Sequence, residues 1–224
     1  MVADPNERLQ VKICGLKDPG RAAECVALGA DAIGLVFYPP SPRFVTPALA
    51  GEIVGALPDA SFAVGVFANE PEEALLAAAN RAGIQRVQLH GQEPPELVAA
   101  LRKRGFFVIK ALFATRAPGF AEANRYEADA FLVEAGRGRL PGGNAETWDW
   151  KGAAVMRTGR PFLLAGGLDE KNVERAVEDA CPDGVDASSG LEIRPGEKDM
   201  TKVARFLAVI SGIRSNPAPR RIFP

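Results

Sequence analysis

Short runs of aliphatic and β-branched residues recur along this chain at a nearly regular interval, and that recurrence constrains the fold more than any other feature. The runs are VKICG from Val11, AIGLVF from Ala32, AVGVF from Ala63, RVQLHG from Arg86, FVIKAL from Phe107, FLVEA from Phe131, PFLLAGG from Pro161 and GVDASSG from Gly184. They are continuous apolar stretches instead of alternations of apolar and polar residues, the pattern of parallel strands covered on both faces. Amphipathic segments lie between them, among them Asp18 to Leu28, Pro71 to Ala82, Pro94 to Arg104 and Glu170 to Cys181. Several open on an Asp or Pro suited to a helix start. Gly29, Gly83 and Gly105 follow such segments, where a left-handed C-terminal cap returns the chain toward the next strand. The strand starts lie 21 to 31 residues apart. Eight uninterrupted units of that size fit an α/β chain closed into a single (β/α)8 TIM barrel better than an open doubly wound sheet.

A length of 224 residues suits one such domain. The barrel is expected over residues 11–214, with residues 1–10 and the Pro/Arg-rich residues 215–224 as flexible tails. The helical pattern is weakest between Ala114 and Tyr126, where Pro118 and Gly119 interrupt it.

Composition narrows the function classes. A formal charge of −1, with arginines spread along the chain, gives no basic block for a nucleic-acid backbone. Three cysteines make no disulfide framework, and no basic-then-apolar leader opens the sequence, so a reducing cytoplasm is expected. No apolar run approaches the roughly 18 residues of a membrane span. A single histidine and no paired-cysteine spacing predict neither a metal nor a metal-based cofactor.

In a barrel of this kind the site lies at the C-terminal mouth of the strands, so the residues that end each strand are the candidates. Strand 1 ends in Cys14, strand 4 in His90, strand 6 in Glu134, strand 7 in Gly166 and Gly167, and strand 8 in Asp186, Ser188, Ser189 and Gly190. Cys14 reads either as a small core hydrophobe or, directly before Gly15 and a helix start, as a thiol whose pKa backbone N–H groups lower. Glu134 reads as a partly desolvated general acid at the tip of an apolar strand, as a solvated rim carboxylate, or as a partner for Arg137 or Arg139. Cys25 and Cys181 fall on helical segments and are assigned structural roles.

The glycines after strand 7 and the Ser-Ser-Gly after strand 8 form consecutive loops that let backbone N–H groups approach a phosphate. Arg43, in the proline-stiffened YPPSPRFV, either faces solvent or reaches over the mouth to pair with a carboxylate. His90 either orients a substrate or is a satisfied rim histidine, and it receives no catalytic role. Asp186 either accepts from a substrate hydroxyl or holds its loop by accepting from backbone N–H groups.

With these residues in view, the chain resembles the phosphoribosylanthranilate isomerase family of tryptophan biosynthesis, from about Val11 to Ile210. The resemblance rests on VKICG, GLVFYPPSPRFV, VGVF, VQLHG, LPGGNAETWDW, FLLAGGLDEKNV and GVDASSGLEIRPGEKD, in that order. It implies a cofactor-free Amadori rearrangement of N-(5′-phosphoribosyl)anthranilate to 1-(2-carboxyphenylamino)-1-deoxyribulose 5-phosphate. It implies Cys14 as general base and Glu134 as general acid. Arg43 falls at the family's anthranilate carboxylate site, and Gly167, Ser188, Ser189 and Gly190 fall on its phosphate loops. The partner implied is a small phosphorylated substrate, for a monomer or homodimer with no nucleic acid and no membrane.

The chain departs from the family pattern in two places. Glu134 stands where an aspartate is usual, one methylene longer, and a displacement of ~1 Å can cost about 10²-fold in rate. Gly142, Gly143, Asn144 and Ala145 replace the usual Gly-Gly-Thr-Gly, so a less glycine-rich lid is expected, with Asn144 still able to hydrogen-bond. The rival indole-3-glycerol-phosphate synthase chemistry calls for lysine acids at strand ends. Only Lys110 is read as ending a strand, with Lys12 inside one. A non-catalytic anion-binding barrel would keep the glycine loops and lose the acid or the base.

Overall fold

The structure, a computed structural model, describes residues 8–137 and 147–223. Eight strands close into an all-parallel barrel in sequence order: β1 (Gln10–Cys14), β2 (Ala32–Val36), β3 (Ala63–Phe67), β4 (Arg86–Leu89), β5 (Phe107–Phe113), β6 (Ala130–Glu134), β7 (Phe162–Leu164) and β8 (Gly184–Ala187). β8 closes onto β1 with Lys12 opposite Asp186. The expected strand starts are met to within one residue, and nearly every strand residue is buried. This is the consequence of covering both faces, with helices outside and packed side chains inside.

Helices α1 (Pro19–Ala27), α2 (Pro47–Gly55), α3 (Glu72–Ala82) and α4 (Pro95–Lys103) follow the first four strands, and α5 (Val173–Ala180) follows β7. α6 (Met200–Gly212) comes after β8 and a short hairpin, β9 (Glu192–Arg194) and β10 (Glu197–Lys198). Asp18, Thr46 and Asp199 cap α1, α2 and α6 by accepting from backbone N–H groups of the first turn. Gly29, Gly83 and Gly105 all adopt positive φ, as their place after a helix requires. The crossovers after β5 and β6 carry 3-10 segments, Phe120–Arg125 and Trp150–Thr158, in place of α-helices among the described residues. In the first, Pro118 removes a donor and Gly119 starts the segment, so no amphipathic repeat can build.

Alternation along each strand divides the core in two. Outward residues such as Val11, Ile13, Val87 and Leu112 join the helices in one large cluster. Inward residues such as Val64, Ile109, Ala111, Leu132 and Leu163 form a smaller cluster inside the barrel.

The chain end differs from the loose tail expected of residues 215–224. Ile222 and Phe223 are buried and belong to the interior cluster. Gln10, also expected in a tail, is the first residue of β1; its side-chain oxygen accepts from Ile222 N and Phe223 N, and its Nε2 donates to Phe223 O. Arg220 donates to both carboxylate oxygens of buried Asp183. Composition misleads here because two apolar residues among prolines and arginines suffice to close the open floor of a barrel.

No helix among the described residues is long and apolar enough to cross a membrane. The lid residues Gly142, Gly143, Asn144 and Ala145 lie outside the described residues, as does Arg139.

Candidate active site

The parity that buries Lys12 also turns Cys14 inward, two residues on at the end of β1. Cys14 stands at the mouth, 9% exposed. Its sulfur lies over the neighbouring strand at Gly34, where a Cβ would come within 2.5 Å of Sγ. Any larger residue at position 34 would displace the thiol. The helix expected to polarise Cys14 begins only at Pro19, and its capping acceptor is Asp18. Backbone N–H groups therefore do not lower this thiol. Burial pushes its pKa up; Lys12 and Lys198 pull it down, Asp186 adds to the rise, and the net direction is upward.

Lys12 is fully buried and donates to Asp186 Oδ1 at 2.8 Å. Burial opposes its charge, but Asp186 and Cys14 outweigh burial and raise its pKa above the ordinary lysine value. Asp186 holds a partner that neither sequence reading named, an ammonium, because closure of β8 onto β1 sets the two residues side by side.

Glu134 ends β6 on the inner face, three strands from Cys14 around the closed sheet, and is 7% exposed. His90 Nε2 lies 3.3 Å from Glu134 Oε1, within ion-pair range but at an angle that makes no hydrogen bond. The other ring nitrogen lies 2.6 Å from Gln88 Nε2, and the ring meets Phe113 edge-on. Arg116 covers the Phe113 ring with its guanidinium 3.4 Å from the centroid. Burial lowers the Arg116 pKa, while Glu134 and Glu93 counteract that.

Arg43 is buried and bidentate to a carboxylate, as its planar fork allows, but the carboxylate is Glu192 of this chain. The solvent-facing reading of Arg43 is corrected accordingly, since burial and Glu192 hold the guanidinium. Glu192 also accepts from Lys198 Nζ at 2.7 Å. Burial would raise the Glu192 pKa, but Arg43 and Lys198 hold it below the usual carboxylate value.

The two glycine loops meet backbone to backbone: a Cβ on Gly190 would collide with the Leu168 carbonyl. Gly166 and Gly167 both adopt positive φ. The backbone N–H groups of Gly166, Gly167, Ser188, Ser189 and Gly190 have no acceptor among the described residues. The Ser188 hydroxyl, expected as a ligand group, instead donates to the Cys14 carbonyl at 2.9 Å and ties this loop to the end of β1.

Lys110 does not end a strand. It sits within β5, faces outward, and is held by Glu93 and the carbonyls of Leu89 and Gly91. Among functional neighbours, Lys12, Glu192, Lys198 and Gln88 escaped the sequence reading. Lys12 had a usable signal, a charge inside an apolar strand two residues before a candidate base.

A family model described as N-(5'phosphoribosyl)anthranilate (PRA) isomerase matches residues 11–209. An N-(5'-phosphoribosyl)anthranilate isomerase from Desulfatibacillum aliphaticivorans is 52% identical over 215 residues, covering 96% of this chain and 99% of its own. One from Rubrobacter xylanophilus is 44% identical, covering 89% and 97%. Among solved structures, phosphoribosyl anthranilate isomerase from Thermotoga maritima superposes with a TM-score of 0.83 at 37% identity, over 92% of this chain and 100% of that one. A phosphoribosyl anthranilate isomerase in complex with reduced 1-(o-carboxyphenylamino)-1-deoxyribulose 5-phosphate gives 0.79 at 36% identity, again over 92% and 100%. With the barrel complete and the match running through every strand, this chain belongs to the N-(5'-phosphoribosyl)anthranilate isomerase family.

Proposed function

We infer that the chain catalyses the Amadori rearrangement of N-(5′-phosphoribosyl)anthranilate, with Glu134 as general acid and Cys14 as general base. Glu134 gives its proton to the furanose ring oxygen as the C1′–O bond breaks and its electron pair passes to that oxygen. The opened sugar is an iminium. The Cys14 thiolate takes the C2′ proton, the C–H pair becomes a C1′–C2′ double bond, and the iminium pair returns to nitrogen. The resulting enolamine tautomerises to the 2′-ketone. The positive nitrogen acidifies C2′, so the substrate supplies the electron sink that a cofactor would otherwise provide.

The observation that carries this reading is the pairing of two buried groups with one set of free donors. Cys14 and Glu134 end separate strands on the inner face. The same rim offers five backbone N–H groups without an acceptor among the described residues. A phosphoryl dianion satisfies such donors without a lysine. Gly166, Gly167, Ser188, Ser189 and Gly190 are its seat, with Ser188 acting through its N–H because its hydroxyl serves Cys14. His90 and Asp186 border the sugar. Arg43 reaches the anthranilate carboxylate only with the guanidinium edge that Glu192 leaves open.

The test follows loss of fluorescence of the anthranilate substrate with purified protein and no added metal or cofactor. Steady consumption is expected, and none at all would overturn the reading. Glu134→Gln should lower kcat about 10²-fold or more, and Glu134→Asp much less, because the first deletes the proton donor and the second only moves it. Equal losses would show that reach, not acidity, is what position 134 contributes.

A further inference from the structure

We propose that Lys12, pinned by Asp186, is the counter-ion of the Cys14 thiolate and a positioning residue for proton abstraction. The inference rests on the reading of Cys14 as the base. A buried thiol is a poor base until something nearby accepts its negative charge, and a helix N-terminus does not serve here. Lys12 does: it is fully buried on the same strand and the same inward face, two residues before Cys14. Asp186 fixes the ammonium from β8 at 2.8 Å.

Charge balance supports the assignment. Among the described residues, the charged groups that act on Cys14 most are Lys12 on its own strand, Asp186 on β8 and Lys198 on β10. β2 presents Gly34 there, and the apolar neighbours are Val36 and Val66. Lys198 is in turn linked through Glu192 to Arg43. This buried set holds three cations, Lys12, Lys198 and Arg43, against two carboxylates, Asp186 and Glu192. One positive charge is left over, and it offsets the sulfur's charge when Cys14 ionises, against the burial that favours the neutral thiol. During turnover the proton from C2′ goes to that sulfur, and Lys12 remains charged throughout.

The measurement is the pH dependence of Cys14 alkylation by iodoacetamide on the intact protein, read by mass spectrometry of the Cys14 peptide so that Cys25 and Cys181 do not contribute. Lys12→Gln should move the midpoint up by about one unit or more, a tenfold slowing of labelling near neutral pH. Its kcat should fall by a similar factor with KM little changed, and raising the pH should restore activity along the alkylation curve. Lys12→Arg should recover most of both. Coincident curves for wild type and Lys12→Gln would overturn the proposal. If Lys12→Gln does not fold, the neutral Lys12→Met is read in its place, with the same upward shift expected and coincident curves again overturning the proposal. Cys14→Ser separates the two readings: full activity there would remove the base assignment itself, whereas an inactive Cys14→Ser with an unshifted Lys12→Gln would remove only the counter-ion.

Discussion

The mouth and the floor of this barrel both bury polar groups, yet they treat them in opposite ways. At the floor, Gln10 and Asp183 are satisfied by the chain's own C-terminal segment. The Gln10 amide accepts from Ile222 N and Phe223 N and donates to Phe223 O. Asp183, fully buried, accepts from Phe162 N and from Arg220, with Arg157 a further 3.6 Å away. At the mouth, five backbone N–H groups of the β7 and β8 loops have no acceptor among the described residues, and His90 Nε2 and Gln88 Oε1 are buried without a hydrogen bond. Since leaving a buried polar group unpaired costs about 1–3 kcal/mol, a fold keeps such groups open only where something else completes them. The floor holds the barrel together, and the mouth is built to be finished by a ligand.

The sharpest way to break that contrast is to remove one group from each end. Cys14→Ala should lower kcat by about 10²–10⁴-fold, the range for losing a positioned base, while the urea unfolding midpoint barely moves. A large stability loss with turnover intact would make Cys14 a packing residue and erase the distinction. At the floor, Asp183→Ala strands two arginines and the Phe162 N–H, so a loss of about 3–5 kcal/mol is expected in urea unfolding. The folded fraction should keep its kcat/KM. If catalysis fell and stability held, the floor would be part of the active site.

The same contrast explains what the sequence discloses. All eight strands are legible because burial on both faces leaves apolar runs with no competing pattern. Cys14 and Glu134 are legible because they break such runs at a strand tip, where chemistry in this fold concentrates. What is hidden is pairing across the chain. Lys12 and Asp186 are 174 residues apart and Arg43 and Glu192 are 149 apart. No local rule says that a cation will be met by the chain's own carboxylate instead of by substrate. The C-terminal plug is hidden for a related reason. Ile222 and Phe223 show no periodicity to count, and their burial depends on an opening that exists only after the barrel has closed.

The smallest expected effect tests how independent the two ends are. Phe223→Ala removes a buried ring that lies 6.4 Å from the Phe107 ring and 5.7 Å from the Arg86 guanidinium. Full loss of a core phenylalanine typically costs 3–5 kcal/mol, and because this ring meets Phe107 at a tilt a loss at the lower end, about 3 kcal/mol, is expected. Its backbone bonds to Gln10 remain, and Arg86 keeps the Phe107 ring at 6.0 Å. Between this ring and Cys14 along the inner face of β1 stands the Lys12–Asp186 pair, fixed by its own hydrogen bond and not by the plug. The cavity should therefore lower the urea midpoint and leave kcat/KM unchanged. A fall in kcat/KM beyond what unfolding accounts for would mean that packing at the floor sets the position of the ammonium, and through it of the sulfur.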